Sequence, residues 1–207
     1  MTIRKGEAWG VLTVPDDKLV TVASDGELRE LIGTSRAAQR QLPVVGLLGG
    51  DLMRTIGGSG DRSRFTGDEP VPHLPVDIVG LIVDGERETI FVAHLVARRS
   101  WWRGPITAAM NAQFLGSWDV APRCHPNDGR VDIVSASGEL ALQQRWQARS
   151  RLPLGTHVPH PLISIRQQAT ASIELGSRMP LYVDGHRWGS GRHLELTVQP
   201  DALVVCV

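Results

Sequence analysis

The hexapeptide Asn127-Asp128-Gly129-Arg130-Val131-Asp132 holds the residue types that proton transfer and cation binding require. Gly129 allows a sharp turn with φ > 0 at little cost. Arg130 to Val134 then reads as a strand, with Val131 and Ile133 on one face. Asp132 falls on the other face, aimed back toward the turn that carries Asp128. Two carboxylates beside a turn suit a divalent cation, or removal of a proton from a hydroxyl. The same residues equally make an ordinary Asp-Gly turn followed by a polar strand position.

Two earlier turns also carry chemistry-bearing residues. Leu19 to Ala23 reads as a buried strand, and Leu28, Leu31 and Ile32 have helical spacing. Between them lies Ser24-Asp25-Gly26-Glu27. A phosphate turn needs bare N–H groups at a helix start, where the dipole favours an anion. Ser24-x-x-Glu27 is instead the pattern of a capping box, in which side chains satisfy those N–H groups. Glu27 also sets a negative charge where a phosphate would lie. A second unit pairs the strand Pro43–Leu48 with Gly49-Gly50-Asp51-Leu52-Met53-Arg54-Thr55-Ile56-Gly57. Arg54 is placed to reach a phosphate or to pair with Asp51 at i, i+3.

The remaining elements follow from pattern. Gly58 to Pro75 is rich in Gly, Pro and charge and reads as a linker. Val76–Val83 and Thr89–Val96 flank Asp84-Gly85 as a hairpin. Arg98-Arg99-Ser100-Trp101-Trp102-Arg103 suits either cation–π stacking within the fold or a lipid–water interface. Arg99, Trp101, Trp102 and Arg103 are the expected edge for any lipid contact. Gly138 to Arg151 has helical character, with Leu142 and Trp146 as i, i+4 neighbours and Pro153 as its stop. His157 and His160 are separated by prolines that forbid a helix, so a zinc pair there is not expected. Strands are expected at Leu162–Arg166, Ala169–Leu175, Pro180–Val183, Leu194–Val198 and Leu203–Val207, with a hairpin turn at Asp184-Gly185.

The chain has 207 residues, 22 basic and 22 acidic, and a formal net charge of zero. Nucleic acid is not an expected partner, because such proteins usually carry a basic footprint. MTIRKGEAWG lacks the apolar core of a signal peptide. No apolar run reaches the ~20 residues of a membrane-spanning helix. Cys124 and Cys206 lack Cys-x-x-Cys spacing and read as reduced thiols, pointing to the cytoplasm, with peripheral membrane contact at the tryptophan edge.

Taken in order, these motifs resemble the diacylglycerol kinase family, which includes sphingosine and ceramide kinases. Asn111, Gly116, Ala121-Pro122, Cys124, Asp128-Gly129 and Asp132 follow the family's Asn, Gly-rich turn, Ala-Pro, small residue, Asp-Gly-x-x-Asp. Asp25-Gly26 matches part of its Gly-Gly-Asp-Gly-Thr turn. Gly49, Asp51, Arg54, Thr55 and Gly57 match the next motif. Asp184-Gly185 stands where the family has Asp-Gly-Glu, with His186 in place of the glutamate, and Pro200-Asp201-Ala202-Leu203 fits the closing strands. Ala23, Ser24, Glu27, Leu47 and Leu48 depart from the nucleotide-contacting pattern.

The resemblance implies an α+β, mostly β fold: a shortened α/β remnant of a nucleotide-binding domain over residues 1–66, then a β-sandwich over 67–207. It implies two functional readings. One is a non-catalytic relative, a pseudokinase that binds a lipid or an acidic small molecule. The other is an active lipid kinase using Mg²⁺ and ATP. There Asp128 and Asp132 are catalytic, and Ser24, Asp25, Gly26, Gly49, Asp51 and Arg54 face the nucleotide. Asp25 and Asp132 place the metal. A structural module dimerising through an exposed sheet edge is a third reading.

Overall fold

The computed structural model describes residues 8–16 and 18–207. Asp17, in the turn expected after Pro15, lies outside the described residues. The N-terminal part contains β1 (Val11–Thr13), β2 (Val20–Val22), α1 (Asp25–Ala37), β3 (Val45–Leu47) and α2 (Asp51–Thr55). A 3₁₀ turn, Arg62–Phe65, leads to β4 (Val71–Val83), β5 (Arg87–Phe91), β6 (His94–Arg98) and β7 (Ile106–Met110). The short pair β8 (Phe114–Leu115) and β9 (Trp118–Asp119) precedes β10 (Val131–Ala136) and α3 (Leu142–Arg151). β11 (Ile163–Gln168), β12 (Thr170–Val183) and β13 (His186–Cys206) complete the chain.

Eleven strands join one sheet in the order β1-β4-β13-β12-β6-β7-β10-β11, with β5 on β4. β3 adds to β13 in parallel and β2 adds to β3 in parallel. The α/β segment therefore shares its sheet with the β-rich remainder.

Two long strands explain how one sheet serves two cores. In β13, Leu194, Leu196 and Val198 face a core shared with Val79, Leu81 and Val83 of β4 and with residues of β5, β6, β7, β10 and β12. A register shift between Gln199 and Leu203 then turns the strand, with Asp201 at φ 52°. Beyond it, Leu203 and Val205 pack with Leu28 and Ile32 of α1 and with Val45 and Leu47. A bulge adds an unpaired residue and bends the strand, so its side chains change core. Fully burying a leucine such as Leu28 is worth roughly 1.5–3 kcal/mol, which fixes α1 on the sheet.

The fold is α+β and mostly β, as the sequence implies. Three expectations are revised in detail. The linker read at Gly58–Pro75 is shorter, because Val71–Pro75 belongs to β4 and Phe65 is buried. The strands read separately at Ala169–Leu175 and Pro180–Val183 are one strand, as are Leu194–Val198 and Leu203–Val207 up to Cys206, each interrupted by a register shift. Periodicity breaks at such shifts, so one strand reads as two. α3 begins at Leu142, where the Gln144 side chain accepts the Ala141 N–H at 2.9 Å.

Candidate functional site

At the start of α1, Ser24 Oγ accepts the Glu27 N–H at 3.2 Å and Glu27 Oε2 accepts the Ala23 N–H at 2.7 Å. The capping box closes the helix start with the chain's own groups. The carboxylate of Asp25 turns the other way, into the start of α2. It accepts the N–H groups of Asp51 at 2.6 Å and Leu52 at 3.2 Å. Gly50, at φ 101°, makes room for it, since a Cβ there would strike the Asp25 carboxylate.

Asp51 in turn accepts the Gly116 N–H at 2.9 Å and bonds His94 Nε2 at 2.9 Å. Arg54 donates to the Gly116 carbonyl and lies 4.1 Å from the centre of the Phe114 ring. Asp51 and Arg54 thus clamp the turn between β8 and β9. Gly49 packs against the Ala23 backbone, and His186 lies over Gly26, where a Cβ would come within 2.7 Å of its ring. Asp184, fully buried, accepts N–H groups from Val92, Ala93 and His94.

Atoms of Asp25, Asp51 and His94 lie within 4.8 Å of one another, a donor set that fits a divalent ion. Burial and the neighbouring Asp184 charge push Asp25 up to about 6, against the N–H group of Asp51 that lowers it. Burial also raises Asp184. Burial of His94 opposes its charge, but the Asp51 hydrogen bond and the Asp184 carboxylate outweigh it and raise the ring above its ordinary value. Asp51 is lowered, its own burial being outweighed by the His94 and Gly116 hydrogen bonds. At the start of α1 the Glu27 N–H is taken by Ser24, the Ala23 N–H just before the helix is taken by Glu27, and Glu27 adds a carboxylate that opposes a phosphate.

Asp128 and Asp132 sit in a different cluster. Its centre is Asp77, fully buried on β4, which accepts N–H groups from Gly129 at 2.8 Å and Asp201 at 2.9 Å, and Asn127 Nδ2 at 3.4 Å. Asp128 accepts the Arg130 N–H at 2.9 Å. Asp132 accepts Gln167 Nε2 at 3.2 Å beside Cys124, whose thiol is pushed well up by burial and then by Asp132. Asp25 and Asp132, expected to place one metal together, therefore have different neighbours.

Burial pushes Asp128 up to about 6, with Asp132 and Asp77 adding to it. A carboxyl raised in the fold contributes stability that is complete below its unfolded value near 4 and is lost as pH rises through 6. Asp128→Asn removes that loss. We expect the variant to match the wild type at pH 4 and to exceed it at pH 7.5 by about 1 kcal/mol, after discounting for solvent at this half-buried site. Urea unfolding at both pH values measures it; an equal offset at both would show that ionisation of Asp128 costs the fold nothing.

The third feature is a small open cleft beneath α3, with a cavity volume of about 100 Å³. Its wall is largely apolar, with Trp101, Ile106, Leu115, Trp118, Val134 and Ile163. Trp101 meets Trp118 edge-on at 5.0 Å and lies under Arg98 at 4.2 Å. Arg149 reaches over Trp118 at 4.6 Å and Trp102 at 5.1 Å. Of the edge expected to meet lipid, Trp101 and Trp102 are cleft wall. Arg99 donates to the Arg178 carbonyl at 3.0 Å, and Arg103 is exposed. α3 turns Arg145 inward and leaves Leu142 and Trp146 each 63 % exposed.

Sequence reasoning passed over His94, Asp77 and Arg145. His94 and Asp77 are each a lone polar residue in an apolar run, the signal of a buried group that must find a partner, whereas Arg145 lies among other polar residues of α3 and carries no such signal. No family model matches the chain, and no curated protein matches it. Solved structures do. What they define is a class by fold: the chain has the fold of the diacylglycerol kinases. Three structures from Bacillus anthracis str. Sterne carry the match. One, provisionally described as a diacylglycerol kinase, gives a TM-score of 0.65 at 12% identity, over 90% of this chain and 77% of that one. A second, described as a diacylglycerol kinase, gives 0.61 at 14% identity, over 90% and 75%. A third, again provisionally so described, gives 0.63 at 12%, over 90% and 77%.

Proposed function

We propose that the protein is a lipid-binding relative of the diacylglycerol kinases, holding an apolar chain in the cleft beneath α3 with an acidic head at the basic rim. The cleft carries this reading. Ligand sites are concave, mostly apolar and furnished with a few polar groups, and this one has Arg149 at its aromatic edge. The exposed Leu142 and Trp146 of α3, with Leu154 at 76 % exposure in the 3₁₀ turn that follows, make an apolar patch beside Arg149 and Arg151. Such a patch suits the interface of an anionic membrane from which a lipid would enter. Asp51 and Arg54 serve this site indirectly, by clamping Gly116 between the cleft residues Leu115 and Trp118.

A fluorescent fatty acid titrated into the protein tests it. We expect saturable binding that weakens at least tenfold in Ala148→Trp, which fills the cleft from a half-exposed helix position where folding is retained. Equal binding by the variant, with an unchanged circular dichroism spectrum, would place the probe elsewhere and end the proposal. The gathering of Asp25, Asp51, His94 and Asp184 favours the second reading, an active lipid kinase. A thermal shift with Mg²⁺-ATP over Mg²⁺ alone would support that reading, since ligand at 100 times its dissociation constant adds ~2.7 kcal/mol.

A further inference from the structure

We propose that Arg98 receives the head of the ligand at the edge of the cleft beneath α3, and that this head is a single carboxylate, so that the ligand class is a monocarboxylic acid with an apolar tail. The inference rests on the lipid-binding reading above and specifies its ligand. Arg98 ends β6 and pairs across the sheet with Ile106, a residue of the cleft wall. Its guanidinium carbon lies 4.2 Å from the centre of the Trp101 ring, which also lines the cleft, and 4.4 Å from that of Tyr182. Two ring faces thus hold the cation in place beside the cleft.

No group among the described residues accepts a hydrogen bond from this guanidinium. Its Nε is enclosed without a partner, while its two Nη nitrogens, equally without an acceptor, are not enclosed and stay within reach of a ligand. Arg149, the other cation stacked on these tryptophans, has no enclosed nitrogen. A cation drawn partly out of water with no counter-ion is costly, and an anion that pairs with it removes the cost. Because the rings already fix the guanidinium, pairing orders little that was free. Its open Nη edge presents two parallel N–H groups, which match the two oxygens of a carboxylate in one plane. One guanidinium and one carboxylate also balance in charge. A phosphate monoester carries about two charges and three free oxygens, more than one guanidinium satisfies beside apolar side chains. An ammonium head is repelled, and a hydroxyl gains no bond between full charges. Trp101 and Ile106 lead from the guanidinium to the cleft wall, which gives the apolar tail its path.

The test uses the full chain and the fluorescence of its own tryptophans, of which Trp101, Trp102 and Trp118 line the cleft. Four ligands share a ten-carbon tail, short enough for a small cleft, and differ in the head: decanoate, decanol, decyltrimethylammonium and decyl phosphate. Each is titrated at pH 7.5 below its micelle concentration. We expect decanoate to bind about tenfold tighter than decanol and the ammonium, and tighter than the phosphate. The preference over decanol should vanish in Arg98→Met and persist in Arg149→Met. Arg98→Lys keeps the charge without the planar fork, and should retain only part of it. Equal affinity for all four heads in the wild type would overturn the head assignment while leaving the cleft as a lipid site. Tightest binding of decyl phosphate would overturn the carboxylate. A preference that survives in Arg98→Met, or is lost in Arg149→Met alone, would overturn the role of Arg98. Failure of all four to bind would refute the lipid-binding reading itself, and this inference with it.

Discussion

Replacement of Asp184 by Ala is expected to lower the unfolding free energy by about 3–5 kcal/mol. Asp184 opens the turn after β12 at φ 46°, and its side chain reaches back across the sheet to the turn between β5 and β6. There it accepts the N–H groups of Val92 at 3.2 Å, Ala93 at 2.9 Å and His94 at 3.1 Å. Alanine would leave these donors buried with no acceptor, and each such loss costs about 1–3 kcal/mol. Asparagine keeps one acceptor oxygen and should fall between. The melting temperature of Asp184→Ala should drop on the order of 10 °C for a chain of this size. A change within about 1 kcal/mol would mean that water or a shifted backbone replaces the carboxylate. Asp184 also adds negative charge beside Asp25 and His94, so its loss should lower the pKa of both.

Arg145→Met is expected to loosen α3 selectively. Arg145 is 5 % exposed, and its guanidinium donates to the carbonyls of Leu140 at 3.0 Å, Gly104 at 2.6 Å and Ser137 at 3.1 Å. It fastens the helix to the segments before β7 and after β10. Methionine keeps much of the volume and none of the donors. Hydrogen bonds from a charged group are worth about 1.5–3 kcal/mol, so amide exchange over residues 141–151 should accelerate roughly 10–100-fold. The sheet should keep its protection. Because α3 roofs the cleft, probe binding should weaken in parallel. Loss of protection spread evenly over sheet and helix would instead make Arg145 a support of the whole fold.

Much of the local structure was legible because its causes are local. The Ser24-x-x-Glu27 pattern specifies a helix start within four residues, and both of its hydrogen bonds form. Alternation at Val131 and Ile133 identifies the core face of β10, since the side-chain period of a strand is two. The order of motifs from Leu19 onward indicated the diacylglycerol-kinase-like fold that the solved structures share. The site was legible only in part. Asp25, Asp51 and the Asp128–Asp132 turn stood out by residue type and spacing, and His94 and Asp77, which contact Asp51 and Gly129, did not.

Tertiary structure alone decided which of these residues meet. His94 reaches Asp51 across 43 positions, and Asn127 reaches Asp77 across 50. No local pattern encodes such a pairing, because it follows from sheet order and from bulges that redirect long strands. The same holds for α3. Its Leu142–Trp146 spacing names a face but not the side on which water lies, and packing turned Arg145 inward because three carbonyls wait there. The sequence by itself determined the helices and most strands, through propensity, capping and periodicity, and indicated the class of fold through the resemblance carried by the order of its motifs. The cleft, the stacked arginine at its edge and the separation of the two carboxylate clusters arose only when distant segments packed, since burial is a property of the assembled chain.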